Sequence, residues 1–135
     1  MLLLAIAAAT AIPVDAKLLD GLVEHEAVIT GHGETVTCNG PALADIVARL
    51  GAPQGKAVYG EALGFTVLAS ARDGYKVRFS LGELDAMLGA SKAIVAVRCN
   101  GAMLDSADGP YRLVVPGEQR GARSVRQLES LTLER

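Results

Sequence analysis

The sequence of 135 residues is poor in aromatic side chains, with no tryptophan, three tyrosines and two phenylalanines. It has no uninterrupted apolar run of the ~18 residues that a membrane-spanning helix needs, so we expect no membrane span. Lysine and arginine number 13 against 15 aspartates and glutamates, which leaves no basic excess to hold a nucleic-acid backbone. The length suits one small domain that buries a single core.

The N-terminal region has the pattern of a secretory signal peptide. Residues 2–12 (LLLAIAAATAI) are apolar, and small residues precede a candidate cleavage site between Ala16 and Lys17. The alternative is an N-terminal core helix, which should show a polar face that this stretch lacks. We therefore expect residues 1–16 to be a signal peptide, residues 17–135 to form the domain, and the protein to be periplasmic or secreted.

The only two cysteines, Cys38 and Cys99, each stand directly before an Asn-Gly pair. Asn-Gly favours tight turns, so both thiols are expected at the ends of apolar strands. In an oxidising compartment we predict a structural disulfide between them, with two buried free thiols as the alternative. Without a Cys-x-x-Cys arrangement, a redox-active pair is less favoured. His25 and His32 lack a metal-ligand spacing, which predicts a polar surface segment and no metal site.

Hydrophobic periodicity predicts an α+β fold. Residues 41–50 place apolar side chains at i, i+3, i+4 and i+7 between a proline and a glycine, which predicts a helix. Ser80 and Glu83 match a capping box that opens a second short helix, which includes Leu88 and ends at Gly89. Strands are predicted at residues 65–71, 75–79, 93–97, 111–115 and 128–133. These elements indicate a single compact domain of mixed, mainly-β sheet with two short helices.

Three arginines, Arg120, Arg123 and Arg126, lie close together in a segment that contains glycine. Forked guanidinium donors at this density can bind a phosphate or another oxyanion. The alternative, which composition alone favours, is a solvated loop whose arginines pair with Glu118 or Glu129.

Five short segments follow one another in a recognisable order. They are GPALADI at 40–46, DGY at 73–75, NGxxL at 100–104, GPxRLVVPG at 109–117 and SVR at 124–126. In this order they resemble the molybdopterin-binding oxidoreductase domain of the sulfite oxidase type, in its small stand-alone secreted form. The resemblance covers about residues 38–133. It implies an α+β fold in which a pterin dithiolene holds molybdenum, and the metal transfers oxygen or electrons.

The resemblance also implies where a cofactor would bind. The basic residue of the Ser-Val-Lys/Arg motif, here Arg126, is expected to help hold the phosphate end of the pterin. Its neighbours on the same segment would be supporting donors, and residues beside the Asp-Gly turn would line the same cleft. The candidate cofactor-binding residues are Arg120, Arg123, Ser124, Arg126, Arg72 and Tyr75. Catalytic residues are not assigned.

The sequence departs from the family pattern at two positions. In catalytic members the molybdenum-ligating cysteine lies upstream of the segment that matches residues 40–46, whereas here no cysteine precedes Cys38. Gln127 stands where an aromatic residue usually follows the basic one. A metal without the thiolate loses a strong anionic ligand. Two functions are therefore open: an exported oxidoreductase-like domain that binds molybdopterin, or a cofactor-free periplasmic module that kept the fold and binds a small oxyanion or a protein partner.

Overall fold

The computed structural model describes residues 9–135, in which ten strands form three antiparallel sheets. The strands are β1 (Ala11–Pro13), β2 (Glu24–Gly31), β3 (Glu34–Pro41), β4 (Thr66–Ala71), β5 (Lys76–Ser80), β6 (Ile94–Ala96), β7 (Arg98–Cys99), β8 (Ala102–Met103), β9 (Arg112–Val114) and β10 (Leu128–Glu134). The helices are α1 (Ala16–Leu19), α2 (Leu43–Arg49) and α3 (Leu81–Leu84), with 3-10 turns at Gly55–Ala57, Gly60–Gly64 and Gly121–Arg123. This mainly-β architecture confirms the predicted fold class, with three short helices instead of two.

The strands of each sheet are antiparallel throughout. The first sheet has the order β1-β10-β4-β5, the second β2-β3-β7-β8, and β6 pairs with β9 in the third. The β4–β5 hairpin closes at the predicted Asp-Gly turn, where Gly74 takes a positive φ of 91°. Alternate side chains of β4 are buried, as the period of two in its sequence predicts.

The main core lies between α2 and the first sheet. The apolar stripe of α2 buries Leu43, Ile46 and Val47 against a cluster that includes Phe79 of β5 and Leu131 of β10. A smaller cluster joins the second and third sheets and consists of Ala27, Cys38, Ile94, Ala96 and Val114. The predicted helix at residues 41–50 and the predicted buried strand at residues 93–97 are both confirmed.

The two Asn-Gly pairs adopt different structures. Asn100 and Gly101 form the expected tight turn between β7 and β8, with φ of 50° and 77°. The turn expected after Cys38 is wrong, because β3 continues through Gly40 to Pro41. Glycine is required at position 40 for another reason: a Cβ there would lie 1.9 Å from the carbonyl oxygen of Val95. Cys38 and Cys99 are register partners on β3 and β7 and form the predicted disulfide.

The second predicted helix begins as expected but is shorter. Ser80 Oγ accepts a hydrogen bond from the Glu83 backbone, and the Glu83 carboxylate accepts one from the Ser80 backbone, so the capping box is confirmed. The helix ends at Leu84 because the Asp85 carboxylate accepts a bond from the backbone N–H of Met87, which offers the chain an alternative to helix. Leu88 therefore lies outside α3 and is exposed.

Residues 1–8 of the predicted signal peptide lie outside the described residues. Beyond them, β1 pairs with β10, and the Val14 backbone donates to the carbonyl oxygen of Glu129 over 2.9 Å. Asp15 caps α1 by accepting a bond from the Leu18 N–H. Cleavage after Ala16 stays a prediction. Within residues 9–135 no helix has the length and apolarity to cross a membrane.

Candidate functional site

A cleft of about 580 Å³ opens between three parts of the fold. One wall is the end of the β2–β3 hairpin, the second is the β4–β5 turn, and the third is the chain that follows β9. The lining residues are Ile29, Thr30, Gly31, His32, Glu34, Val36, Ala71, Asp73, Tyr75, Arg112, Val115, Glu118, Gly121, Ala122, Ser124, Val125 and Arg126. The volume falls in the range of small-molecule binding sites, about 300–1,000 Å³.

Arg112 is the most deeply buried charged residue of the cleft, with only 9% of its surface exposed. Its Nη2 donates to the carbonyl oxygen of Ser124 over 3.4 Å, and its Nη1 lies 3.9 Å from the carboxylate of Asp108. Its Nε is buried and has no hydrogen-bond partner among the described residues. Burial lowers the pKa of Arg112 from its ordinary value, against the opposing charge of Asp108. A buried donor without a partner costs about 1–3 kcal/mol.

A second guanidinium stands at the edge of the cleft. Arg126 is largely exposed, and its Nε lies 3.2 Å from the Asp108 carboxylate that also faces Arg112. The proximity of Arg126 contributes to the lowered pKa of Arg112, because two like charges disfavour each other. The two guanidiniums therefore share one carboxylate, and their donors lie on the same side of the cleft lining.

The remaining polar side chains of the cleft differ in their accessibility. Ser124 is buried, and its Oγ accepts a bond from the Val115 backbone over 3.1 Å. The Tyr75 hydroxyl donates to the carbonyl oxygen of Ala122 over 2.6 Å, so it ties the β4–β5 turn to the opposite wall. Glu34 and Asp73 are exposed carboxylates that line the same cleft.

Only some of the six candidate residues predicted from the sequence line the cleft. Tyr75, Ser124 and Arg126 line the cleft. Arg120 is exposed and lines a shallow depression outside it, and Arg72 is exposed and does not line it.

Arg123 also lies outside the cleft, where it links three parts of the chain. Its guanidinium donates to the carboxylates of Glu83 and Glu118 and to the carbonyl oxygen of Arg78. It also lies over the ring of Phe79, 4.5 Å from the centroid. The two carboxylates raise the pKa of Arg123 well above its ordinary value. The ion pair with Glu118 that the sequence suggested is therefore observed. Of the three arginines in the segment, Arg123 alone forms it.

The cleft that contains Arg112 and Arg126 offers no cysteine ligand for a metal ion. Both cysteines are in the disulfide, and neither lines the cleft. Among residues 9–135 no group of three His, Cys, Asp or Glu side chains is arranged to hold a metal ion. The cleft thus holds two arginine side chains, and no cysteine thiolate lines it.

Arg112 is the residue of the cleft that sequence analysis did not single out. A signal was present, because an arginine inside the apolar run YRLVV must either be paired or face a cavity. That arginine is also the one basic position of the GPxRLVVPG segment used for the family resemblance.

The fold and the cleft together define a mainly-β domain with a buried arginine at the base of a ligand-sized cavity. The chain belongs to the family of the oxidoreductase molybdopterin binding domain, whose model matches residues 18–135. The resemblance identified from the sequence segments is thereby confirmed. A comparison with curated proteins found no match.

Proposed function

We propose that this chain binds a small phosphate-bearing ligand in the cleft and acts as a binding domain without a molybdenum thiolate. The observation that carries the proposal is the pair of guanidiniums, Arg112 and Arg126, that line a cavity large enough for a ligand and face the same Asp108 carboxylate. Arg126 supplies a second guanidinium, and the hydroxyl of Ser124 is a further donor on the same wall. Guanidinium groups match the geometry of phosphate oxygens.

The cleft lining holds both donors for a phosphate and acceptors for a pterin ring. The arginines would hold the phosphate, and the carboxylates of Glu34 and Asp73 would accept hydrogen bonds from N–H groups of the ring. Members of this family typically bind molybdopterin, which when bound supplies a molybdenum centre for transfer of oxygen or electrons. A simple phosphate would use the arginines alone, so ligands with and without a ring distinguish the two subsites.

The donor set favours a binding domain over a redox enzyme. The only two cysteines of the sequence form a disulfide with each other. Cys38 is fully buried in the smaller core cluster. Reduction of the bridge would not bring its thiolate to the cleft, because neither cysteine contributes to the lining.

We also propose export to the periplasm or the cell exterior, supported by the apolar N-terminal stretch and by the disulfide. Intact-mass spectrometry of protein from its native compartment tests this. A processed chain two hydrogens lighter than its reduced form is expected, and an unprocessed, reduced chain would contradict export.

Two measurements test the binding proposal. The first is analysis of molybdenum and released pterin in protein purified from a host that makes and exports the cofactor. Molybdenum far below one atom per chain is expected. Near-stoichiometric metal and pterin would overturn the binding-domain proposal and favour the oxidoreductase.

The second measurement is calorimetric titration with inorganic phosphate and with a phosphorylated pterin. Arg112→Gln and Arg126→Ala are each expected to weaken binding by tenfold or more, since a hydrogen bond to a charged group contributes about 1.5–3 kcal/mol. Arg126 is exposed, so its replacement tests the site without loss of folding. Arg120→Ala is the matched control, and equal weakening in this control and in Arg126→Ala would refute the site.

A further inference from the structure

Exposed apolar side chains gather on a face that shares no lining residue with the cleft. Leu63, Met87 and Leu88 are all exposed, and Met87 exposes 88% of its surface. Leu63 and Leu88 meet at Gly82. One methyl carbon of each lies 3.4 and 4.0 Å, respectively, from the point that a Cβ at position 82 would occupy. Contiguous exposed apolar side chains on a folded domain are candidates for an interaction surface.

The loop that carries two of these side chains is held firmly in place. The backbone N–H groups of Gly89, Ala90 and Ser91 donate to the carbonyl oxygens of Gly82, Asp85 and Glu83, over 2.9, 2.8 and 2.9 Å. The loop thus folds back onto α3, which fixes Met87 and Leu88 at its exposed tip. A surface held in this way needs little ordering when it binds a partner.

A groove of about 240 Å³ lies beside the patch and is continuous with it, because Met87 also lines the groove. Four buried side chains form its base: Val47 and Val58, together with Leu81 and Leu84. The volume is below the range of about 300–1,000 Å³ that small-molecule sites occupy. It suits an apolar anchor side chain of a protein segment, as at the centre of many interfaces.

The charge around the groove identifies the kind of partner. Asp45 and Asp85 are the only charged residues that line it in the described part of the chain. His25 of β2 lies 4.0 Å from the Asp45 carboxylate. A symmetric contact between two copies with the groove on the two-fold axis would set these carboxylates against each other, whereas a basic partner would pair with them.

We infer that this face, which we call the Met87 face, docks an amphipathic segment of another protein. The segment inserts an apolar side chain into the groove and places lysine or arginine against Asp45 and Asp85. This inference is independent of the ligand bound in the cleft.

The test uses the full chain labelled with ¹⁵N and two synthetic helical peptides of equal length, one of leucine and lysine, the other with glutamate in place of lysine. The lysine peptide is expected to shift amide signals around the groove, at Ala44, Asp45 and Met87. It should bind at least tenfold more tightly than the glutamate peptide. Equal binding of both peptides, or shifts spread over the whole surface, would overturn the inference.

Variants distinguish docking at the Met87 face from nonspecific binding. Met87→Ser is expected to weaken binding of the lysine peptide about tenfold, as loss of an interface anchor does. The double variant Asp45→Asn, Asp85→Asn should weaken it several-fold and reduce its salt dependence. Met103→Ser is the matched control, because Met103 is equally exposed but lies on β8. Loss of binding in this control, or a dimer of the chain that Met87→Ser abolishes, would refute a basic partner.

Discussion

Replacement of Arg123 distinguishes a residue that stabilises the fold next to the cleft from a residue that binds a ligand in it. Arg123 lies three residues before Arg126, yet its guanidinium contacts Glu83, Glu118 and the ring of Phe79. Replacing Arg123 with alanine removes these contacts without removing any lining side chain of the cleft. We therefore expect a loss of stability with little change in affinity for phosphate.

The size of this loss follows from the contacts. About a third of the Arg123 side chain and of each carboxylate is exposed, so solvent screening limits the ion pairs to about 1 kcal/mol in total. The contact with Phe79 contributes about 0.5 kcal/mol, and the bond to the Arg78 carbonyl about as much. Together these give a loss of about 2 kcal/mol, which corresponds to a fall in Tm of about 6–10 °C for a domain of this size.

The pH dependence of unfolding adds a second signature. Burial raises the pKa of Glu83, but hydrogen bonds from Arg123 and from the Ser80 backbone outweigh it and hold the pKa below its ordinary value. A carboxyl with a depressed folded pKa stabilises the protein above its unfolded pKa of about 4.3 and loses this contribution as the pH falls through the folded value. The difference in free energy of unfolding between the parent chain and Arg123→Ala should therefore be largest at pH 7 and decrease below about pH 4.

Urea unfolding at several pH values, with phosphate titration at pH 7, measures both effects. Arg120→Ala is the control, because Arg120 is exposed and is expected to leave stability unchanged. The reasoning is refuted by an Arg123→Ala variant that keeps its urea midpoint but loses phosphate binding as strongly as Arg126→Ala.

Three further perturbations test the fold. Gly40→Ala sets a Cβ against the backbone of Val95, which cannot move aside as a side chain can, so we expect a loss of about 3 kcal/mol or more in urea unfolding. A variant as stable as the parent would contradict this close approach. Replacing both Cys38 and Cys99 with alanine frees a loop of 61 residues, for which chain entropy gives a loss of about 4 kcal/mol; an unchanged urea midpoint would argue against the bridge. Deletion of residues 1–16, which leaves the chain expected after processing, removes β1 from its place beside β10, so the melting temperature should fall by several degrees relative to the unprocessed chain. Equal melting of the two chains would show that β1 contributes nothing to the folded domain.

Local elements could be predicted because their signals are local. The apolar stripe of α2, the alternation in β4 and the capping box at Ser80 each lie within a few residues, and each recurs in the structure. The β2–β3 hairpin was missed, since most of β2 is exposed and its sequence looks like a polar surface segment. Its turn is His32-Gly33, both with positive φ, in place of the more recognisable Asn-Gly.

The sequence by itself determined the family, the fold class and the presence of an arginine-rich segment near the C-terminus. It could not assign those arginines, because a 3-10 turn at Gly121–Arg123 separates them and Arg123 meets a partner 40 residues away. Only the tertiary structure showed that Arg112 is buried with an unpartnered Nε. That property depends on Asp108, Ser124 and the walls of the cleft meeting around one side chain, and such a tertiary arrangement leaves no periodic trace in the sequence.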